Sequence, residues 1–137
     1  NTNSLKKKTL KTKRKTITKK PKTKFDNANF SKKILSSFDY SGSVFLSSHF
    51  AYSKFEKGLL KSTSFIDSDL PRAIFWESDL SNASFRNSNL KHSIFYKADL
   101  SNAIFENSNL EQTIFFKTNI SCMSHRSCFI EMFQTPL

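Results

Sequence analysis

Residues 98–105 read ADLSNAIF, and this order of small, polar and large residues recurs every five residues through the middle of the chain. A large apolar residue stands at almost every multiple of five from position 45 to position 120, and a small residue stands two places before it. A period of five fits neither an α-helix, which repeats about every 3.6 residues, nor a strand, which repeats about every two. The repeat therefore predicts a chain that turns once in each unit.

Each five-residue unit is predicted to form one side of a square coil. The small and the large residue are two positions apart, so both point inward from a short extended segment, and the residue between them points outward. The other two residues turn the chain, a role for which the frequent Asn, Ser and Asp are suited. Four corners close a coil of twenty residues, and stacked coils pair with one another at the β-sheet spacing of about 4.8 Å.

This pattern resembles the pentapeptide-repeat family, whose consensus A(D/N)LxxAxFxx is closely matched by residues 98–105. The resemblance covers more than half of the chain, over sixteen consecutive units. It implies an all-β fold, a right-handed quadrilateral β-helix. Some members of that family mimic duplex DNA and bind bacterial type II topoisomerases, so the resemblance also implies this function.

Sorting the core positions by twenty predicts four faces, which we call faces A to D. Rings are expected to stack along faces A and C, whereas faces B and D are mainly aliphatic. Face A is centred on Phe25, Phe45, Phe65, Phe85 and Phe105; face B on Phe30, Phe50, Leu70, Leu90 and Leu110; face C on Leu35, Phe55, Phe75, Phe95 and Phe115; and face D on Tyr40, Leu60, Leu80, Leu100 and Ile120.

The chain is predicted to have three parts. A basic extended arm covers residues 1–24, a β-solenoid covers residues 25–120 with regular coils from about residue 43, and a C-terminal cap covers residues 121–137. Lys33 and Phe38 occupy small positions of the repeat, so the start of the solenoid is either a distorted coil or a cap.

A cap is expected after residue 120, because a solenoid end exposes strand edges and apolar rings. Phe129, Ile130 and Phe133 are its predicted buried contacts.

The net charge of +11 comes entirely from residues 1–24, which contain ten Lys, one Arg and no acid. With few apolar residues this arm cannot offset its ordering entropy, so we expect it to be disordered until it meets a partner. RNA is the predicted partner, because Lys and Arg release counterions when they neutralise phosphates. A solubilising tail and an organellar transit peptide are the alternatives. The predicted nucleic-acid-binding residues are Lys6, Lys7, Lys8, Lys11, Lys13, Arg14, Lys15, Lys19, Lys20, Lys22 and Lys24.

Face C is predicted to carry an apolar ladder on its outer surface, unlike the other faces, where Asn and Ser dominate. A contiguous aromatic and Ile stripe is typical of a protein interface, either with a partner or with a second copy. Coverage by the chain's own tail is an alternative, as is a nucleic-acid stacking surface flanked by Lys97 and Lys117. The predicted protein-interface residues are Ile74, Trp76, Ile94, Tyr96, Ile114 and Phe116.

One run of residues has metal-ligating character. Cys122, His125 and Cys128 form a C-x2-H-x2-C pattern that could supply three zinc ligands, with Glu131 nearby as a fourth. Structural zinc sites usually draw two pairs of ligands from separated segments. We therefore predict no metal site and no cofactor, and interpret the three as cap residues.

The histidines and carboxylates of the repeat give no sign of catalysis. His49 and His92 lie on one face, each without an expected acid or nucleophile neighbour. Asp69, Asp79 and Asp99 fill the D/N slot of the repeat and are interpreted as turn residues. We predict that the protein is not an enzyme and has no small-molecule substrate.

These features together predict a non-enzymatic scaffold or interaction subunit of an RNA–protein assembly, of which the ribosome is the commonest. The composition favours an intracellular, organellar location such as the mitochondrion, and no run of about 18 apolar residues indicates a membrane partner. Two alternatives remain open. One is a DNA-mimicking protein that acts on a type II topoisomerase, which a neutral tower and a basic arm disfavour; the other is a protein-binding adaptor or effector.

Overall fold

Parallel strands spaced twenty residues apart begin the fold. The computed structural model describes residues 23–36 and 38–124 of the chain. Strands β1 (Lys24–Asp26), β2 (Val44–Leu46) and β3 (Ser64–Ile66) form a parallel sheet in the order β1-β2-β3. The core phenylalanines at the centres of the strands pair in register, so this sheet is the first part of face A.

The rest of the fold is built from single paired residues rather than from longer strands. On each face, the residue before the large core residue pairs with the residue twenty positions on, as Ile74 does with Ile94 and Asp79 with Asp99. Every such bridge in the described residues is parallel. These residues therefore make five stacked coils with the four predicted faces. Within this part of the chain, no helix has the length and apolar character needed to cross a membrane.

Each corner is a tight turn with one left-handed residue. At one corner the N–H of Ala103 donates to the carbonyl of Leu100 at 3.0 Å, and the intervening Asn102 has a φ of 58°. The same conformation recurs every five residues from Asn27 to Cys122 in the described part of the chain. Asn adopts this conformation more readily than most residues, which explains its frequency at the corners.

The core rings stack in two columns, as the sequence predicts. Successive ring centroids are 4.8–5.1 Å apart from Phe25 to Phe105 along face A, and 4.9–5.2 Å apart from Phe55 to Phe115 along face C. The two columns meet edge to face across the core. Ring spacing matches the rise of about 4.8 Å per coil, so backbone pairing sets the ring stacking directly.

The column of face D begins with Tyr40, which is buried. Burial raises the pKa of its hydroxyl above the ordinary value, because the phenolate would lose its hydration.

The two ends of the solenoid extend the regular pairing. Residues 25–42 form a coil rather than a cap, and the poorly fitting Lys33 and Phe38 are accommodated by being exposed. At the other end Ser124 pairs with Ile104, and Met123 packs against the core. The predicted cap contacts Phe129, Ile130 and Phe133 lie outside the described residues.

Candidate functional site

The outward side chains of face C form a continuous apolar ladder over its last three coils. Each buried Phe of this face points inward, so the residues before and after it point outward. The Ile residues before the core positions pair in parallel along the solenoid axis, and the aromatic residues after them lie alongside. The ladder consists of Ile74, Trp76, Ile94, Tyr96, Ile114 and Phe116.

A groove with a volume of about 540 Å³ runs between the Ile and aromatic columns. All six predicted interface residues line it, together with Glu56. The rings of Trp76 and Tyr96 are 5.7 Å apart, and those of Tyr96 and Phe116 stack at 5.5 Å with 12° between their planes. Trp76 is 43% exposed, and the other five are half-buried. The structure therefore brings the six residues into one surface.

The ladder is interrupted in the second coil. There Lys54 takes the Ile position and Glu56 takes the aromatic position, while Ile34 in the first coil is 72% exposed. Sequence reasoning missed Glu56 as a lining residue, although its place in the same column of the repeat could have identified it. The groove thus ends on a carboxylate at its N-terminal side.

The repeat itself is matched by a family model. The model of pentapeptide repeats matches residues 59–96 and 93–123, with eight copies. This chain is a pentapeptide-repeat protein. Its membership agrees with the coil of four five-residue sides and with the small residue buried two places before each large one from Ser43 to Thr113.

Solved structures show the same fold as this pentapeptide-repeat protein. Three structures of QnrB1, a plasmid-mediated fluoroquinolone resistance protein, resemble it with TM-scores of 0.53–0.54 at 19–21% identity, over 73–80% of this chain. The chain spans 62–66% of the length of those structures. Rfr23, a pentapeptide repeat protein from the cyanobacterium Cyanothece 51142, resembles it at 20% identity over 82% of each chain, with a TM-score of 0.40.

The fold of the family is a right-handed β-helix, which is four-sided in this pentapeptide-repeat protein. No curated protein sequence matches the chain.

Faces B and D of the pentapeptide-repeat protein carry polar ladders that maintain the turns. Asp79 Oδ1 accepts from the N–H of Ser81 at 3.1 Å and from its hydroxyl at 2.6 Å. Asp99 does the same with Ser101, at 2.9 and 2.7 Å. Asp79 and Asp99 therefore act as turn residues, as predicted, whereas Asp69 lacks this bond because Pro71, two places on, has no N–H to donate.

The prediction that His49 has no acidic neighbour is wrong. Its Nδ1 lies 3.4 Å from Asp69 Oδ2, because residues twenty apart stand one above the other on adjacent coils. Asn89 continues this column after Asp69. The two side chains are half exposed, and their contact links adjacent coils of face B.

The metal-ligating run lies mostly outside the described residues. Cys122 is exposed at a left-handed corner with a φ of 56°. His125 and Cys128 are not among the described residues. Within the described part of the chain, no three His, Cys, Asp or Glu side chains are grouped as metal ligands.

The arm also lies mostly outside the described residues, with one correction. The sequence places Lys24 in the arm, but in the structure it is the first residue of β1 and pairs with Val44. Its place before the core residue Phe25 makes it part of the first coil. The other ten predicted nucleic-acid-binding residues, from Lys6 to Lys22, lie outside the described range.

A second, smaller apolar patch on face A was not predicted. Val44, Leu46 and Ile66 point outward from β2 and β3 and are half-buried. Ser64 and Ser84 interrupt the column after Val44. This patch has no ring on its surface, so it is a poorer candidate for a binding site than face C.

Proposed function

We propose that this pentapeptide-repeat protein is a non-enzymatic scaffold that docks on another protein through face C. The observation that carries the proposal is the groove of about 540 Å³, whose lining is apolar apart from Glu56. Trp and Tyr side chains are common at the centres of protein interfaces, because they bury a large area with few rotatable bonds. Face C presents both, one coil apart.

The backbone beneath the groove favours tight docking. The N–H of Ile94 donates to the carbonyl of Ala73, and its own carbonyl accepts from the N–H of Phe75. Each Ile of the ladder is thus held to the preceding coil by two backbone hydrogen bonds, and each aromatic residue by one. A surface that is ordered before binding loses little conformational entropy when a partner arrives.

Ile94→Lys tests docking through face C. Ile104 has the same position in the repeat on face A and is also half-buried, so Ile104→Lys is the matched control. We expect a protein that co-purifies with the tagged full chain from its source cells to be lost with Ile94→Lys and retained with Ile104→Lys. Both variants should keep the circular dichroism spectrum of the parent. Loss with both variants, or with neither, would contradict docking through face C.

A second candidate is the topoisomerase-directed role implied by the family resemblance. The fold likeness to QnrB1, a fluoroquinolone resistance protein, supports it. So do the adjacent carboxylates of Asp79 and Asp99 on face D, in a column that also contains Asp39 beyond Leu59. A DNA-mimicking surface acts through such carboxylates.

A DNA gyrase supercoiling assay separates this candidate from docking through face C. The double variant Asp79→Asn with Asp99→Asn removes two negative charges. It keeps the side-chain oxygen that accepts a hydrogen bond from the turn, as the side-chain oxygens of Asn89 and Asn109 do on face B. The second candidate would be established if the parent protein and Trp76→Ala both inhibited supercoiling and the double variant did not. Inhibition absent from the parent at micromolar protein would remove it.

Binding of the arm to RNA, within an assembly such as a ribosome, is supported by charge alone. Residues 1–24 carry +11, whereas residues 25–137 are neutral. Deleting residues 1–22 should weaken binding to single-stranded RNA and flatten its dependence on salt, because fewer counterions are released. If the deletion left the dependence of RNA affinity on salt unchanged, the arm would not be the part of the chain that binds RNA. The proposed organellar location is tested by imaging the tagged chain in its source cells.

A further inference from the structure

The charges of the tower are segregated around face C. We define the face C sector as the outward residues of face C together with the corner residues on both of its sides. Among the described residues this sector has six basic and two acidic side chains, whereas the remainder has five basic and eight acidic ones. The basic residues of the sector are Lys32, Lys54, Lys57, Arg72, Lys97 and Lys117, and the acidic ones are Glu56 and Glu77.

The corners beside face C carry long side chains in a conformation that disfavours them. A left-handed conformation costs roughly 1–2 kcal/mol for most residues, but less for Asn, Asp and Gly. The corners between faces A and B and between faces D and A use mainly those residues or Ser. The two corners flanking face C instead hold Lys32, Tyr52, Arg72, His92 and Gln112 on one side and Lys57, Glu77, Lys97 and Lys117 on the other.

The basic residues of the face C sector form a rim around the groove, and two of them, Lys97 and Lys117, lie against its rings. Lys97 Nζ is 5.3 Å from the ring centre of Tyr96, and Lys117 Nζ is 5.4 Å from that of Phe116. None of the ion pairs formed among the described residues involves a side chain of the face C sector. The groove is therefore an apolar surface inside an unpaired positive rim.

Charge argues against two occupants of this groove, and the packing of its rings argues against a third. Residues 1–23 of the arm contain nine Lys, one Arg and no acid, so the rim would repel them. A second copy docked face to face would oppose two positive sectors. Single-stranded RNA suits the charge, but it binds by stacking bases on free ring faces. Here Tyr96 and Phe116 stack on each other, and an ammonium lies over each ring.

We propose that face C binds a protein segment in which acidic residues flank apolar or aromatic anchors. The inference rests on the proposed docking function and specifies the chemistry of the partner. The anchors fill the groove between the Ile and aromatic columns, and the carboxylates meet the ammonium groups of Lys97 and Lys117 and the guanidinium of Arg72. Glu56 leaves the N-terminal end of the groove unfavourable for a further acid.

Trp76 provides a direct readout, because it lines the groove and is the only Trp of the chain. The probe is a short Trp-free synthetic peptide that alternates Glu with Leu and Phe, compared with a peptide in which Lys replaces every Glu. Titrated into the full chain, the acidic peptide should change the Trp76 emission and bind at least about tenfold more tightly than the Lys peptide at low salt. Added salt should narrow the difference.

A pair of double variants separates the rim from the arm. Lys97→Gln with Lys117→Gln should weaken binding of the acidic peptide about three- to tenfold, as expected for two exposed ion pairs. Lys19→Gln with Lys20→Gln removes the same charge from the arm and should leave the Trp76 titration unchanged. Equal weakening by both double variants would overturn the proposal.

The remaining results of the peptide titrations also test the acidic-segment proposal. Equal affinity for the two peptides, or a larger Trp76 response to polyuridylate than to the acidic peptide, would overturn the acidic-segment proposal. So would the absence of any peptide response. If Ile94→Lys still abolished the co-purifying partner in that case, docking through face C would stand and only the partner chemistry would fall.

Discussion

Ser88 and Ser93 occupy equivalent small positions of the repeat but use their hydroxyls differently. Ser88 Oγ donates to the carbonyl of Phe65 at 2.8 Å and accepts from the N–H of Ser68 at 3.2 Å. Ser93 Oγ is buried on face C, and within the described residues it has no hydrogen-bond partner. A buried polar atom without a partner costs about 1–3 kcal/mol. The buried serines therefore differ in what they contribute to the stability of the protein.

Ser93→Ala and Ser88→Ala should change stability in opposite directions. Ser93→Ala removes an unpaired hydroxyl and should raise the free energy of unfolding by up to about 1 kcal/mol, whereas Ser88→Ala breaks two hydrogen bonds and should lower it by about 1–2 kcal/mol. Urea denaturation followed by circular dichroism measures both. A loss of stability in Ser93→Ala would mean that its hydroxyl has a partner, such as a bound water.

The corners are the elements in which stability and the proposed function conflict. Lys57 has a φ of 53° beside face C, and Asn82 has a φ of 58° at the corner between faces D and A. The backbone is alike, but Asn accepts this conformation more easily than Lys does. A long basic residue at such a corner thus extends the positive rim and reduces stability.

Exchanging the residue types at these two corners tests that conflict. Lys57→Asn should raise the free energy of unfolding by several tenths of a kcal/mol, up to about 1, and Asn82→Lys should lower it by a similar amount. Thermal unfolding of the two variants beside the parent is the measurement. Changes of the same sign in both variants would show that left-handed strain does not control these corners.

At the scale of the whole molecule, stability depends on contacts between adjacent coils. The ring of Phe85 stacks on Phe65 and Phe105 at 5.1 and 5.0 Å and is fully buried. Phe25 belongs to the same column but lies in the first coil and is only partly buried. A defect in the middle of the tower therefore weakens the packing on both sides of it, as in other solenoids.

Phe85→Ala should accordingly cost about 3–5 kcal/mol, the range for a large cavity in a packed core. Phe25→Ala should cost clearly less, because the terminal coil already exposes part of the ring. The two midpoints of urea denaturation give the comparison. Equal losses would indicate that the first coil is as tightly packed as the fourth.

Much of this architecture could be predicted from the period of five alone. The period places every large residue inward, and sorting by twenty places Phe85 under Phe105 and Ile74 beside Ile94. The same sorting places His49 next to Asp69 and Glu56 in the aromatic column, so both features could have been predicted from the sequence. The positive rim was not predicted, because its charges lie apart in sequence and converge only around face C.

Other features could not be predicted. Whether Lys33 and Phe38 begin a coil or a cap depends on how far backbone pairing tolerates a misfit, and the repeat pattern gives no measure of that. The identity of a partner depends on a second molecule. The face on which it docks can be measured.

Photocrosslinking from one position of the repeat on all four faces is the most direct test. Ser84, Asn89, Ile94 and Asp99 have equivalent outward places on faces A, B, C and D of a single coil. A benzophenone amino acid is introduced at each position in turn, and the full chain is irradiated in its source cells. Our account predicts one protein adduct that forms from position 94 and not, or only weakly, from the other three. Equal yields from all four positions, or the highest yield from position 84, 89 or 99, would contradict docking through face C.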